Sequence, residues 1–359
     1  MKSETLKCFA SVSMLALMSA CGSVAQEDVT AASEPVYNML GSINRPQGTR
    51  DIALVSRGTN LLDEFWVGSG NVSYSRYASS NWQPDVSLGA PSGIALRSVA
   101  AANNGGRIDL FAVGSDNHIW HRFSDTTTGA PTFTGWQADV PGNPTVAANS
   151  AIAVTSWEPG RLDLFWWTPS GNIGHAYAGN STFVATETGD TPSVKYLQRL
   201  PGGGQFGDIT AVSWGPARLD LFLASGKFVE HHWFDGTWGP TGSEHRELQN
   251  SETSDSPFPD LSINSVAAAS RGPNNIELFV TARNGTIDDV YHLAYNGTWT
   301  TFNLGTTPFW KFEKVSHSAT AAPNHVDSAI VWSDPGGRRL DVFGSGFSES
   351  SLSWLATNN

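Results

Sequence analysis

Six copies of one short segment, spaced 46 to 64 residues apart, predict an all-β fold, a β-propeller of six blades with four antiparallel strands each. The copies are Arg107-Ile108-Asp109-Leu110-Phe111, Arg161-Leu162-Asp163-Leu164-Phe165, Arg218-Leu219-Asp220-Leu221-Phe222, Asn275-Ile276-Glu277-Leu278-Phe279 and Arg339-Leu340-Asp341-Val342-Phe343, after a worn Leu62-Asp63-Glu64-Phe65. Composition agrees: 36 Gly, 14 Trp and 18 Phe with only 15% charged residues fit Gly-rich turns between short aromatic strands. Within a copy, Arg161, Asp163 and Phe165 share one face and Leu162, Leu164 and Trp166 the other. Large apolar groups on both faces belong to a sheet covered on both sides, as in stacked blades.

Taken from the start, residues 1–21 read as an export signal. Lys2 and Lys7 precede an apolar run from Phe9 to Leu17 that is too short to span a bilayer, and Met18-Ser19-Ala20-Cys21 follows. Small residues before a cysteine resemble the bacterial lipoprotein box, which implies acylation of Cys21 and a place in the cell envelope, at the outer membrane or cell surface. Ordinary secretion after cleavage near Ala20 or Ala25 is the alternative. Residues 22–34 are small and polar, a tether. Residues 35–359 form the propeller.

Each repeat divides into four segments. In the third, Ala151–Trp157, Arg161–Trp167 and Ile173–Tyr177 are strands, and the fourth lies around Phe183. Fourth strands carry an aromatic, at Trp82, Trp136, Trp238 and Trp299 in other repeats. The last repeat runs out after its third strand, near Leu355, while Tyr37-Asn38-Met39-Leu40-Gly41 stands near the N-terminus with no partners before it. The N-terminal segment is therefore expected to complete the last blade, which also removes an exposed sheet edge. The stretches Gln249–Asp260 and Thr306–Pro323 are expected as rim loops.

The recurring Ser213-Trp214-Gly215-Pro216-Ala217-Arg218-Leu219-Asp220-Leu221-Phe222, followed by His231-His232-Trp233-Phe234-Asp235-Gly236-Thr237-Trp238, resembles the repeat of bacterial propeller lectins of the Photorhabdus lectin type. Gly105 to Phe111 with Ile119 to Phe123 fits the same pattern, and the resemblance spans residues 36–356. It implies binding of fucose or O-methylated sugars at clefts between blades. That family has seven blades, so a degenerate seventh blade in the longer repeats is the alternative to six. Fungal fucose lectins have six, with a repeat that this sequence matches less well.

Candidate site residues follow from positions that vary between repeats. Trp157 and Trp214 stand eight residues before the repeat Phe, where other repeats have Arg57, Asn103 and Arg271; Trp332 takes the place once an insertion is allowed for. A position that changes among Trp, Arg and Asn is poorly suited to a core and suits a sugar, which offers a C–H face and hydroxyls. Packing of the rim against the next blade is the other reading. A histidine on the third strand (His121, His175, His232, His292) gives way to Ser75 and Ser353, and braces backbone or, by the resemblance, lines a sugar pocket. Trp136, Trp238 and Trp299 are secondary sugar candidates. The repeated acids are expected to brace neighbouring strands, because one identical acid per blade gives no converging, unequal catalytic pair.

With both cysteines in the first 21 residues, the body has neither a disulfide nor a Cys zinc site, and histidines on separate blades do not converge on a metal. No cofactor is required. A net charge of -12 disfavours nucleic acid and anionic membrane as partners, leaving glycans, with the membrane met only through a lipid anchor. The expected function is a multivalent lectin; a polysaccharide hydrolase or lyase and an envelope scaffold for proteins are the alternatives.

Overall fold

The computed structural model describes residues 36–43, 50–79, 81–124, 130–179, 182–183, 207–225, 228–239, 247–248, 262–284, 287–299, 301–304, 307–310, 313–314, 325–334, 337–345 and 351–357. The expected signal, Cys21 and tether lie outside them, as does Gln249–Asp260. All regular structure among the described residues is β.

Six antiparallel sheets repeat along the chain. The first comprises Arg50–Gly58, Leu61–Gly68, Asn71–Ala78 and Asn81–Trp82, with Val86–Gly89 also on its third strand. The second holds Leu96–Asn104, Arg107–Gly114 and Ile119–Phe123. Ile152–Thr155, Leu162–Trp167, Ile173–Gly179 and Thr182–Phe183 make the third; Ile209–Gly215, Arg218–Ser225, Phe228–Phe234 and Trp238–Gly239 make the fourth. Ser262–Gly272, Asn275–Asn284, Ile287–Asn296 and Glu313–Lys314 make the fifth. The sixth is His325–Asp334, Gly337–Ser345 and Ser351–Thr357, and its outer edge is completed by Val36–Ile43. The N-terminal strand thus closes the last sheet, as the chain ends predict.

The six first strands are neighbours in cyclic order, the sixth touching the first. Together they line a central channel holding cavities of about 110 and 260 Å³. Residues opposite the repeat Phe are small (Ala53, Ala100, Ala153, Thr210, Ala267, Ser328), which lets six backbones approach one axis.

Both faces of the repeat strand are buried, and by different neighbours. Leu162, Leu164 and Trp166 pack against Phe111, Val113 and Ile119 of the second sheet, whereas Phe165 and Trp167 pack against Leu219, Leu221 and Leu223 of the fourth. Equivalent clusters join every consecutive pair of sheets, and Ile52, Leu62 and Trp66 of the first sheet meet Phe343 of the sixth. At roughly 1.5–3 kcal/mol for each large apolar side chain buried, these interfaces are the main source of stability.

Two expectations are corrected. The stretch from Thr306 is not a plain loop: Thr307–Trp310 pairs with Thr301–Leu304 in a hairpin, and Glu313–Lys314 forms the outer strand of the fifth sheet. In the second sheet the residue equivalent to Trp82, Trp238 and Trp299 is Phe133 rather than Trp136. Each of these pairs with the residue three beyond the third-strand position opposite the repeat Phe: Tyr77 with Trp82, Ser124 with Phe133, Phe234 with Trp238 and Tyr295 with Trp299.

Candidate functional site

The repeat carboxylates Asp63, Asp109, Asp163, Asp220 and Asp341 are at most 1% exposed and Glu277 is 6% exposed. A buried carboxylate stays charged only if it is paired, and five of them are paired alike. Arg161 bonds Asp163 through Nε at 2.8 Å and Nη2 at 2.7 Å; Arg218 bonds Asp220 at 2.8 and 2.6 Å. Arg107 bonds Asp109, with Nη2 at 2.5 Å. Spacing of two places these arginines on the acid's own face of the strand.

In the first and fifth sheets the two-before position is Leu61 or Asn275, and the guanidinium arrives from elsewhere. Arg57 bonds Asp63 at 2.6 Å and Arg271 bonds Glu277 at 2.5 Å, both from the end of the first strand. That end is a bulge. The register breaks between Ser56 and Gly58, between Val212 and Gly215, and between Ala269 and Gly272. Ser56, Ser213 and Ser270 each turn Oγ onto the carbonyl two residues on, which re-aims the intervening side chain. Where the bulge carries Trp, the tryptophan lies on the guanidinium: Arg161 sits 4.6 Å from the Trp157 ring centre and Arg218 5.0 Å from that of Trp214. The variation among Trp, Arg and Asn is thus the trace of a guanidinium with two alternative points of origin. Asn103 takes a third course, donating to Ser56 O of the first sheet at 2.8 Å. Trp332 lies opposite Arg339 in the strand pairing, and its side chain is outside the described set.

The second partner of each of these five acids is a third-strand residue opposite the repeat Phe. His121, His175 and His231 place Nε2 3.0, 2.9 and 2.9 Å from Asp109, Asp163 and Asp220, and His292 lies 2.6 Å from Glu277. Each imidazole stacks on the repeat Phe at 4.4–4.7 Å. This corrects the equivalence read from the sequence by one residue. His231, not His232, holds the place in the fourth sheet, and Tyr74, not Ser75, holds it in the first, its hydroxyl donating to Asp63 at 2.7 Å. A one-residue shift turns His232 to the opposite face, where it lies 3.8 Å from Glu230.

Charge responds to these partners. Burial pushes Asp163, Asp220 and Glu277 up, but the hydrogen bonds and charges of their His and Arg partners outweigh it and hold all three below the usual carboxylate range. Burial pulls His121 down, yet Asp109 on Nε2 and Asp139 on Nδ1, at 3.0 Å each, raise it above its ordinary value. His231 has only Asp220, so burial dominates and lowers it.

At three interfaces the next sheet covers the site. Trp238 of the fourth sheet meets Phe165 and His175 of the third edge-on, at 5.8 and 5.7 Å. Trp299 does the same to Phe222 and His231, and Phe133 to Phe65 and Tyr74. Between the third and fourth sheets this leaves a cleft walled by Trp157, Tyr177, Phe234 and Trp238, all partly exposed, around an Arg161 side chain that is 20% exposed. Arg107 and Arg218 are 23% and 16% exposed in the two neighbouring clefts, whereas Arg57 is fully buried. Trp136 stands apart, donating Nε1 to Gly89 O and lying on Arg122. The sequence reading omitted Arg107, Arg161 and Arg218 from the candidate sugar contacts, although their constant spacing from the acid was visible.

This architecture defines a β-propeller with chemically similar clefts between its blades. No family model matches the chain, and no curated protein matches it. Among solved structures it is similar to AofleA from Arthrobotrys oligospora, at 13% identity and a TM-score of 0.59 over 90% of this chain and 86% of that one. The Aleuria aurantia lectin, described as a six-bladed β-propeller with a novel fucose recognition mode, matches at 16% identity and 0.55 over 88% and 93%. The BP39L lectin from Burkholderia pseudomallei matches at 19% identity and 0.54 over 87% and 82%. At these identities the likeness concerns the fold.

Proposed function

We propose that this protein is a lectin that binds fucose-type or O-methylated sugars in the clefts between consecutive sheets, and that the six sheets are its full set of blades. The observation that carries the reading is a partly exposed guanidinium, fixed by a buried carboxylate and walled by aromatic rings from two sheets. Such a cleft offers N–H donors to ring hydroxyls and flat faces to C–H groups or an O-methyl substituent. The fold shared with fucose-binding lectins supports it. The clefts between the second and third, third and fourth, and fourth and fifth sheets are the working sites in this proposal, because their arginines reach solvent. Trp157, Trp214, Tyr177, Trp238 and Trp299 supply the walls, and His121, His175 and His231 act through the acids rather than on the sugar.

The carboxylates have no exposed surface and are already committed to Arg and His, which disfavours a hydrolase reading at these clefts. Shallow sites bind weakly one by one, and several on one rigid ring raise avidity for a glycan-coated surface. Attachment through an acylated Cys21 is part of the proposal; a Cys21→Ser variant is expected to leave the membrane fraction, and its retention there would refute the anchor.

A glycan array tests the function. Binding to fucosylated or methylated glycans is expected, reduced about tenfold in the Trp238→Ala variant, which removes one wall. A folded protein that binds no glycan on the array contradicts the lectin reading.

A further inference from the structure

The cleft between the first and second sheets departs from the others. Its repeat arginine, Arg57, has no exposed surface. Arg76 stands two residues beyond Tyr74, where the second, third and fourth sheets carry Phe123, Tyr177 and Trp233. Arg122 stands one residue beyond His121, where the third sheet carries Ala176. Neither arginine is needed to build the repeat, since an aromatic and an alanine fill the same places elsewhere.

Arg122 reaches across to the first sheet. Its Nη1 donates to Leu88 O at 2.6 Å, while its guanidinium lies 5.4 Å from the Phe133 ring centre and 5.2 Å from that of Trp136. The residue is 8% exposed, its Nε is buried with no partner, and burial lowers its pKa. Arg76 lies on the Tyr74 face, and its Nε is likewise buried without a partner. Among the described residues neither forms an ion pair. Arg57, Arg107, Arg161, Arg218 and Arg271 all do. Tyr74 and Phe133 touch edge-on at 5.8 Å, so the two unanswered cations flank one aromatic pair in one cleft. Removing guanidinium groups from water without a counter-charge is costly, and an incoming oxyanion offsets that cost with charge-assisted N–H donors.

We infer that the cleft between the first and second sheets is a separate subsite for an acidic saccharide, whose carboxylate or sulfate group is taken by Arg122 and Arg76. The oxyanion part stands on the unpaired arginines alone; the saccharide part rests on the glycan reading above. The other clefts take neutral sugar, and this one selects glycans that carry negative charge as well.

The test uses protein labelled with ¹⁵N-arginine, titrated separately with methyl β-D-glucuronide, methyl β-D-glucoside and inorganic sulfate while the arginine Nε–H signals are followed by NMR. The Arg122 and Arg76 signals are identified from Arg122→Gln and Arg76→Gln proteins. The glucuronide is expected to move both signals saturably, the glucoside to leave them in place, and Arg76→Gln to weaken the glucuronide about tenfold. No saturable shift with glucuronide overturns the subsite, and a response to sulfate without one to glucuronide overturns its assignment to saccharides. Should Arg122→Gln fail to fold, the wild-type shifts and the more exposed Arg76→Gln still decide. Binding of α-methyl fucoside is expected at the other clefts and leaves both Nε signals unmoved, so this inference and the lectin reading fail independently.

Discussion

A carboxylate without exposed surface must be answered by positive charge or give up its own, and in five of the six sheets it is answered by a guanidinium together with an imidazole or tyrosine partner. Removing the acid leaves the arginine unanswered, so Asp163→Asn is expected to cost about 3 kcal/mol, measured by urea unfolding. The histidines make a sharper test, because two of them respond to pH in opposite directions. His121 is raised, so the stability it contributes is full below about 6.5 and drains as pH rises through its folded value. His231 is lowered, so its contribution is full above about 6.5 and drains as pH falls through its folded value. Relative to wild type, His121→Gln is expected to lose its disadvantage as pH rises above about 6.5, and His231→Gln as pH falls below about 6.5. Equal slopes in melting temperature against pH for the two variants contradict the assignment. At this scale the acid and its arginine were legible from spacing alone. The histidine was misplaced by one residue in the fourth sheet because His231 and His232 adjoin, and only strand pairing against Phe222 decides between them.

At the scale of the element, the bulge that ends the first strand in the first, fourth and fifth sheets explains what looked like random substitution. Leu61 and Asn275 stand where other repeats have Arg, and in those repeats the bulge supplies Arg57 or Arg271. Two points of origin serve one guanidinium. Arg57→Trp is therefore expected to lose about 3 kcal/mol of stability, because Asp63 keeps only the Tyr74 hydroxyl. Adding Leu61→Arg restores the pairing seen in the third sheet, with the introduced indole taking the part of Trp157, and is expected to recover more than half of the loss. Additive effects in the double-mutant cycle contradict the compensation. The sequence carried both halves of this pattern, since position eight before the Phe and position two before the acid vary together. Reading the first as a sugar platform missed the link, because a bulge re-aims a side chain in a way that simple alternation does not predict. Trp136 was misread for a related reason: no count along the loop after Phe123 shows that Phe133 is the residue bridged to Ser124.

For the whole molecule, the number of repeats and the unmatched segments at the two ends were enough to read the ring. Period and pairing are dictated locally, and closure follows from the need to cover a last sheet edge. Deleting residues 36–43 is expected to leave that edge open and convert the protein to aggregates on refolding, with size-exclusion chromatography as the readout; a monomer of unchanged melting temperature contradicts closure as a source of stability. Similarity among repeats is also what hid the difference between clefts. A repeat reads as identical until the neighbouring sheet is placed against it, and only then do Arg107, Arg161 and Arg218 emerge as partly exposed while Arg57 is sealed.

The central claim is that sugar is held by a carboxylate-fixed arginine between two sheets. A crystal of the protein soaked with α-methyl-L-fucoside tests it most directly. The account predicts the sugar between Arg161 of the third sheet and Trp238 of the fourth, and at the matching places beside Arg107 and Arg218. Sugar bound only in the central channel or on the outer rim, with those three clefts open and empty, would contradict it.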